Sequence, residues 1–122
     1  MNLERYIKTA ISEAEKSSHR QRLGAVIFKG KVEISKGYNH SERSVRSFNR
    51  KFIRWPFSIH AELAAICSAR TDLKGCSILV VRLNRKGELR YAKPCAHCLA
   101  YINFVLLRHV YFSTSEGKVI EL

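Results

Sequence analysis

Two short clusters carry the chemistry available to this chain: His60-Ala61-Glu62 and, further along, Pro94-Cys95-Ala96-His97-Cys98. Together they offer one imidazole, two thiolates and one carboxylate. His60, Cys95 and Cys98 suit zinc (Zn2+), which takes sulfur and imidazole nitrogen in a four-coordinate shell. Three protein ligands leave the fourth position open to water, the arrangement of a catalytic rather than a structural zinc. Glu62 lies two residues from the imidazole, close enough to reach that water without ligating the metal. Blander readings fit less well. A structural zinc finger would normally add a fourth Cys or His at paired spacing, and Cys67 and Cys76 form no second C-x-x-C. A thioredoxin-like C-x-x-C would leave His60 and Glu62 without a role. A degenerate, inactive site stays open.

These residues need elements to hold them. Leu3, Ile7, Ala10, Ile11 and Ala14 fall at helical spacing, which predicts a helix over 3–17. Residues 23–28 read as a buried strand that turns through Lys29-Gly30-Lys31 into a second strand, 32–38, making a hairpin. Residues 39–58 are irregular and charged, longer than an ordinary loop. A second helix is expected over 60–70, an apolar β-branched strand over 77–83, and a polar excursion over 84–90 that turns on Gly87. A third helix starts after Pro94 and runs to about Leu107. Strands at 110–112 and 118–122 follow. The few residues between these two suffice for a hairpin and not for a helical crossover, so they should be antiparallel. On this layout the proposed ligands sit at the N-termini of two helices, where free backbone N–H groups and the positive dipole end stabilise thiolates. Cys67 and Cys76 read as buried small hydrophobes.

The H-x-E…P-C-x-x-C pattern, set on an α-β-β-α-β-α-β-β order, resembles the cytidine deaminase superfamily of zinc-dependent nucleobase deaminases. The resemblance covers most of the chain. It implies an α/β fold, a three-layer α-β-α sandwich with a mixed five-stranded sheet, and an active site between the second and third helices. It implies zinc held by His60, Cys95 and Cys98, and Glu62 as the catalytic residue that takes the water proton and returns protons to the ring nitrogen and the departing amine. His97 is not expected to be a ligand. Gly37-Tyr38-Asn39 resembles the end of the second strand in the nucleotide-acting branches, where the Asn contacts the sugar; Asn39 is equally at home as a turn residue leaving a strand. Ala61, Arg54 and Trp55 complete the candidate substrate contacts, with Trp55 and Phe57 suited either to line the pocket or to pack the core.

Length and charge narrow the rest. The chain has 122 residues, 46% of them hydrophobic, with no apolar run long enough for a membrane helix, which fits one deaminase domain over 1–122 and a cytoplasmic protein. Its net charge is +12, from 22 Lys and Arg against 10 Asp and Glu, which favours phosphate-bearing partners. Within loop 42–57, Arg43, Arg46, Arg50, Lys51 and Arg54 alternate with aromatic residues, a composition suited to single-stranded nucleic acid or to one phosphate, or else to a solvated surface. The reading preferred at this point is deamination of a cytosine nucleoside or nucleotide, because the chain's short ending resembles the nucleoside-acting members. Deamination of cytosine, or less favourably adenine, in single-stranded DNA or RNA is the alternative. A catalytically inactive basic nucleic-acid-binding module with a structural zinc is the third. No membrane partner is expected, and a homo-oligomer is left open.

Overall fold

The computed structural model describes residues 3–40 and 60–122. In chain order these form α1 (Glu4–Glu15), β1 (Arg22–Lys29), β2 (Val32–Tyr38), α2 (Ala61–Ser68), β3 (Ser77–Leu83), β4 (Leu89–Arg90), α3 (Ala96–Phe104), β5 (His109–Ser113) and β6 (Val119–Glu121). The strands make one mixed sheet in the order β2-β1-β3-β5-β6. β1 runs antiparallel to both β2 and β3, β3 runs parallel to β5, and β6 returns antiparallel on β5 as its short connection requires. A sixth strand corrects the five-stranded expectation. The excursion after β3 folds back so that Leu89 and Arg90 pair with Leu83 and Arg82. The turn residue Asn84 locks it, with Oδ1 accepting from the Lys86 and Glu88 backbone N–H groups and Nδ2 donating to Glu88 Oε1.

The sheet is covered on both sides, which is why its central strands read as continuous apolar runs. Alternation along β1 and β3 sorts their side chains. Val26, Phe28, Leu79, Val81 and Leu83 join Tyr6, Ala10 and Ala14 of α1 in one core. Ala25, Ile27, Ile78 and Val80 join Ala61 and Ala65 of α2 and Ile102 of α3 in the other. The three layers are therefore α1, the sheet, and α2 with α3. Tyr6 stacks on Phe28 at 3.9 Å and donates through its hydroxyl to the Gly30 carbonyl, tying α1 to the β1–β2 turn.

The third helix stops at Phe104 rather than near Leu107. Leu106 takes a left-handed conformation with φ 64°, its N–H bonds the Asn103 carbonyl, and the Leu107 N–H bonds the Ile102 carbonyl. This is the paired-bond termination usually built on glycine. A leucine holds it here because the buried Leu107 anchors the chain beyond. Cys76 is buried as expected, whereas Cys67, at the solvent face of α2, is exposed.

Candidate active site

His60 is the N-cap of α2 and Cys95 the N-cap of α3, both in extended backbone conformation and neither capping its helix with a side-chain hydrogen bond. Cys98 is then the third residue of α3's first turn. An N-cap and the residue three further on turn their side chains toward each other, the same geometry that lets a capping box close. The C-x-x-C spacing therefore brings both sulfurs to one point, and α2 delivers His60 to it. Pro94, directly before Cys95, enters the helix without the loss of an intrahelical bond.

At that point Nδ1 of His60 lies 3.4 Å from the Cys98 sulfur and 3.9 Å from that of Cys95. All three donor atoms fall within 4.8 Å of one another. Nitrogen and sulfur ligands on a tetrahedral zinc, at about 2.0 and 2.3 Å from the metal, stand roughly 3.6 Å apart. The fit is close. The electrostatics point the same way. Burial, and then the charges of Glu62 and Cys95, push the Cys98 thiol far above the ordinary thiol range, so this cluster of acidic groups requires a cation to hold its thiolates. Burial, with repulsion from His97, lowers the His60 pKa and keeps the ring in the neutral form that a ligand needs. His97 stands outside the cluster and packs edge-on against Tyr101 at 4.9 Å.

Glu62, in the first turn of α2, is only 2% exposed. Its Oε1 is buried with no hydrogen-bond partner. Burial raises its pKa to about 7, opposed by hydrogen bonds from its own backbone and from Cys98. A buried carboxyl with one oxygen uncommitted, poised between its two protonation states beside a metal-fitting cluster, is equipped to move protons.

The cluster opens into a cleft of about 480 Å³ whose walls include Asn39, Tyr91, His19, Arg20, Arg82 and Lys93. Asn39 lines this cleft. Its amide also serves the scaffold: Oδ1 accepts from the Leu23 N–H, and Nδ2 donates to the Gln21 carbonyl, fixing the segment that carries Arg20. The Ala61 side chain is fully buried against the sheet and is not among the residues that line the cleft. What Ala61 retains for a ligand is its first-turn backbone N–H, which has no intrahelical acceptor. Arg43, Arg46, Arg50, Lys51, Arg54 and Trp55, expected to contact substrate or phosphate, lie outside the described residues.

Sequence reasoning missed Arg82, Tyr91, Lys93, His19 and Arg20. For Arg82 a signal existed, since it is the one charged residue in a strand read as wholly apolar. Its position in β3 puts it on the same face as Ile78 and Val80, the face that carries the metal cluster. Tyr91 and Lys93 lead directly into Pro94.

Fold and cluster together mark the zinc-binding region of a deaminase family. The chain belongs to the family of the cytidine and deoxycytidylate deaminase zinc-binding region, whose model matches residues 1–114. Among solved structures it is similar to the dCMP deaminase of cyanophage S-TIM5 in apo form, at 21% identity over 89% of this chain and 79% of that one, with a TM-score of 0.67. The same enzyme in complex with dCMP and dUMP matches at 21% identity, over 89% of this chain and 78% of that one, again with a TM-score of 0.67. Cytidine deaminase from Burkholderia pseudomallei is 18% identical over 100% of this chain and 92% of that one, with a TM-score of 0.65. At such identities the likeness is one of fold. No curated protein matches the sequence.

Proposed function

We propose that the protein is a zinc-dependent hydrolase that converts a cytosine nucleotide and water to the uracil nucleotide and ammonia, with His60, Cys95 and Cys98 as the metal ligands. The observation that carries this reading is Glu62: a buried carboxyl oxygen without a partner, beside three converging zinc donors, at the floor of a cleft. A zinc kept only to hold the fold would gain nothing from such a carboxylate, so a non-catalytic module is the weaker account. When bound, the metal supplies the Lewis acidity that makes a water nucleophilic near neutral pH. Glu62 Oε1 takes the proton of that water and delivers it to the ring nitrogen beside the amine-bearing carbon. The same oxygen then carries a proton to the departing amine. One group serves as base and then acid because the steps are sequential. The surrounding wall excludes bulk water from Glu62, which keeps its pKa in the range where both roles are open.

Arg20, Arg82 and Lys93 in the cleft wall support a substrate bearing a phosphate over a plain nucleoside. Tyr91, half exposed and held edge-on by Phe112, offers a ring face to a base. Asn39 and the Ala61 N–H are assigned to the sugar and the base edge. The match to the cytidine and deoxycytidylate deaminase zinc-binding region supports cytosine over adenine. Release of ammonia by zinc-loaded protein from a panel of cytidine, dCMP, adenosine and single-stranded oligonucleotides tests the reading. Turnover of dCMP well above cytidine is expected. Deamination of adenosine with every cytosine compound untouched would reverse it.

A further inference from the structure

The active-site cleft does not end at the cations above the metal cluster. A second cleft of about 430 Å³ adjoins it, and Arg20, Gln21 and Arg82 line both. Its remaining walls come from the β3–β4 hairpin and include Arg85 and Lys86 of the turn and Arg90 of β4, with Glu88 as the acid among them. This is a poor arrangement for a merely solvated face. Among the described residues, five cations, Arg20, Arg82, Arg85, Lys86 and Arg90, surround one concavity that contains a single carboxylate. That carboxylate contacts Arg90 at 3.4 Å. Like charges gathered in a concave surface repel one another and focus a positive potential, which an anion relieves.

The turn is also held rigidly. The three hydrogen bonds of the Asn84 side chain close it, Arg22 donates to the Asn84 carbonyl at 2.8 Å, and Gly87 takes φ 81° at its tip. Arg85 and Lys86 are therefore presented to the cleft from a fixed backbone, which reduces the ordering entropy of binding. The shared Arg82 points from the sheet face that carries the metal cluster, so an anion in the second cleft lies next along a path that begins at Glu62.

We propose that this second cleft is a phosphate subsite for the sugar–phosphate backbone flanking the reacting nucleotide, so that the enzyme acts on cytosine within a single-stranded polynucleotide. The inference rests on the deaminase reading above and names the substrate class of the same site. A mononucleotide carries one phosphate, which Arg20, Arg82 and Lys93 suffice to hold. Arg85 and Lys86 of the β3–β4 turn are placed to meet a second phosphate when the chain of phosphates continues. Backbone neutralisation of this kind is independent of sequence and strongly salt-dependent.

The test compares kcat/KM of the zinc-loaded protein for dCMP and for short single-stranded DNA and RNA oligomers with one cytosine, in the parent and in an Arg85→Ala, Lys86→Ala double variant. Of the two clefts, both residues line the second and not the first. The oligomers are expected to be better substrates than dCMP. The double variant should lower their kcat/KM by about tenfold or more and leave dCMP within about twofold, and should flatten the salt slope of oligomer binding by about two units. Oligomers that are inert beside active dCMP, or equal losses on both substrates, would overturn the subsite. Failure to deaminate any substrate would overturn the deaminase reading instead. The subsite is then judged by binding of fluorescently labelled oligomer to zinc-loaded protein: weakened binding in the double variant supports it, and absent or unaltered binding overturns it.

Discussion

A thiol as deeply buried as Cys98, facing a carboxylate and a second sulfur, is a poor acid until a cation arrives. Metal binding must therefore displace a proton. Zinc titrated into the metal-free protein near pH 7 should release protons, measured as a calorimetric heat that changes with the ionisation enthalpy of the buffer, and affinity should rise with pH. Binding heat independent of buffer would show that Cys98 is not a ligand. Cys98→Ala and Cys95→Ala should each cut zinc content at equilibrium, whereas Cys76→Ala, in the core, should leave about one zinc per chain. The ligands were legible in the sequence because metal chemistry restricts residue types so tightly. Arg82 stood out as the one charge in an apolar strand, but an arginine near a strand end reads the same in sequence whether it meets solvent or a cleft; only the pairing of β3 with β1 and β4 decides.

Helix α2 carries His60 and Glu62, and its distance from the sheet is set by Gly37 on β2. A Cβ at Gly37 would come within 2.6 Å of the Ala65 nitrogen and 2.7 Å of the Ala64 Cβ. Gly37→Ala should therefore push α2 off the sheet, costing about 1–3 kcal/mol of stability, and should weaken zinc binding as well. Gly24 makes the equivalent close approach to Ala10 and Ala14 of α1 on the opposite face. Gly24→Ala should lower the melting temperature and leave the zinc affinity of the folded protein unchanged. Equal effects of the two variants on zinc affinity would show that α2 does not transmit Gly37 packing to the site. Both strands were foreseen from their apolar runs and the turn between them, and both site helices from the segments that open at His60 and after Pro94, so the ligands' N-terminal positions followed. The extra strand β4 was not foreseen, because two residues of pairing leave no periodic trace. The early stop of α3 escaped notice because a left-handed leucine gives none of the glycine signal by which helix ends are read.

At the scale of the molecule, the chain carries a net charge of +12, and two adjoining clefts beside the metal cluster are lined by arginines and lysines. Composition announced a taste for phosphates but assigned it to residues 42–57, which lie outside the described residues, while the described cations come from strand ends and the β3–β4 turn. Substrate capture should accordingly depend on ionic strength, with KM for a phosphorylated substrate rising with salt and kcat little changed. A KM indifferent to salt would mean that these cations do not meet the substrate. No helix among the described residues is long and apolar enough to cross a membrane. The account as a whole stands on Glu62, and the most direct measurement is the rate of dCMP conversion to dUMP by zinc-loaded Glu62→Gln protein beside the parent, with zinc content determined on the same samples. The prediction is unchanged zinc, an unchanged melting temperature and a loss of turnover of roughly a hundredfold or more. Turnover within a few-fold of the parent, at equal zinc, would contradict it.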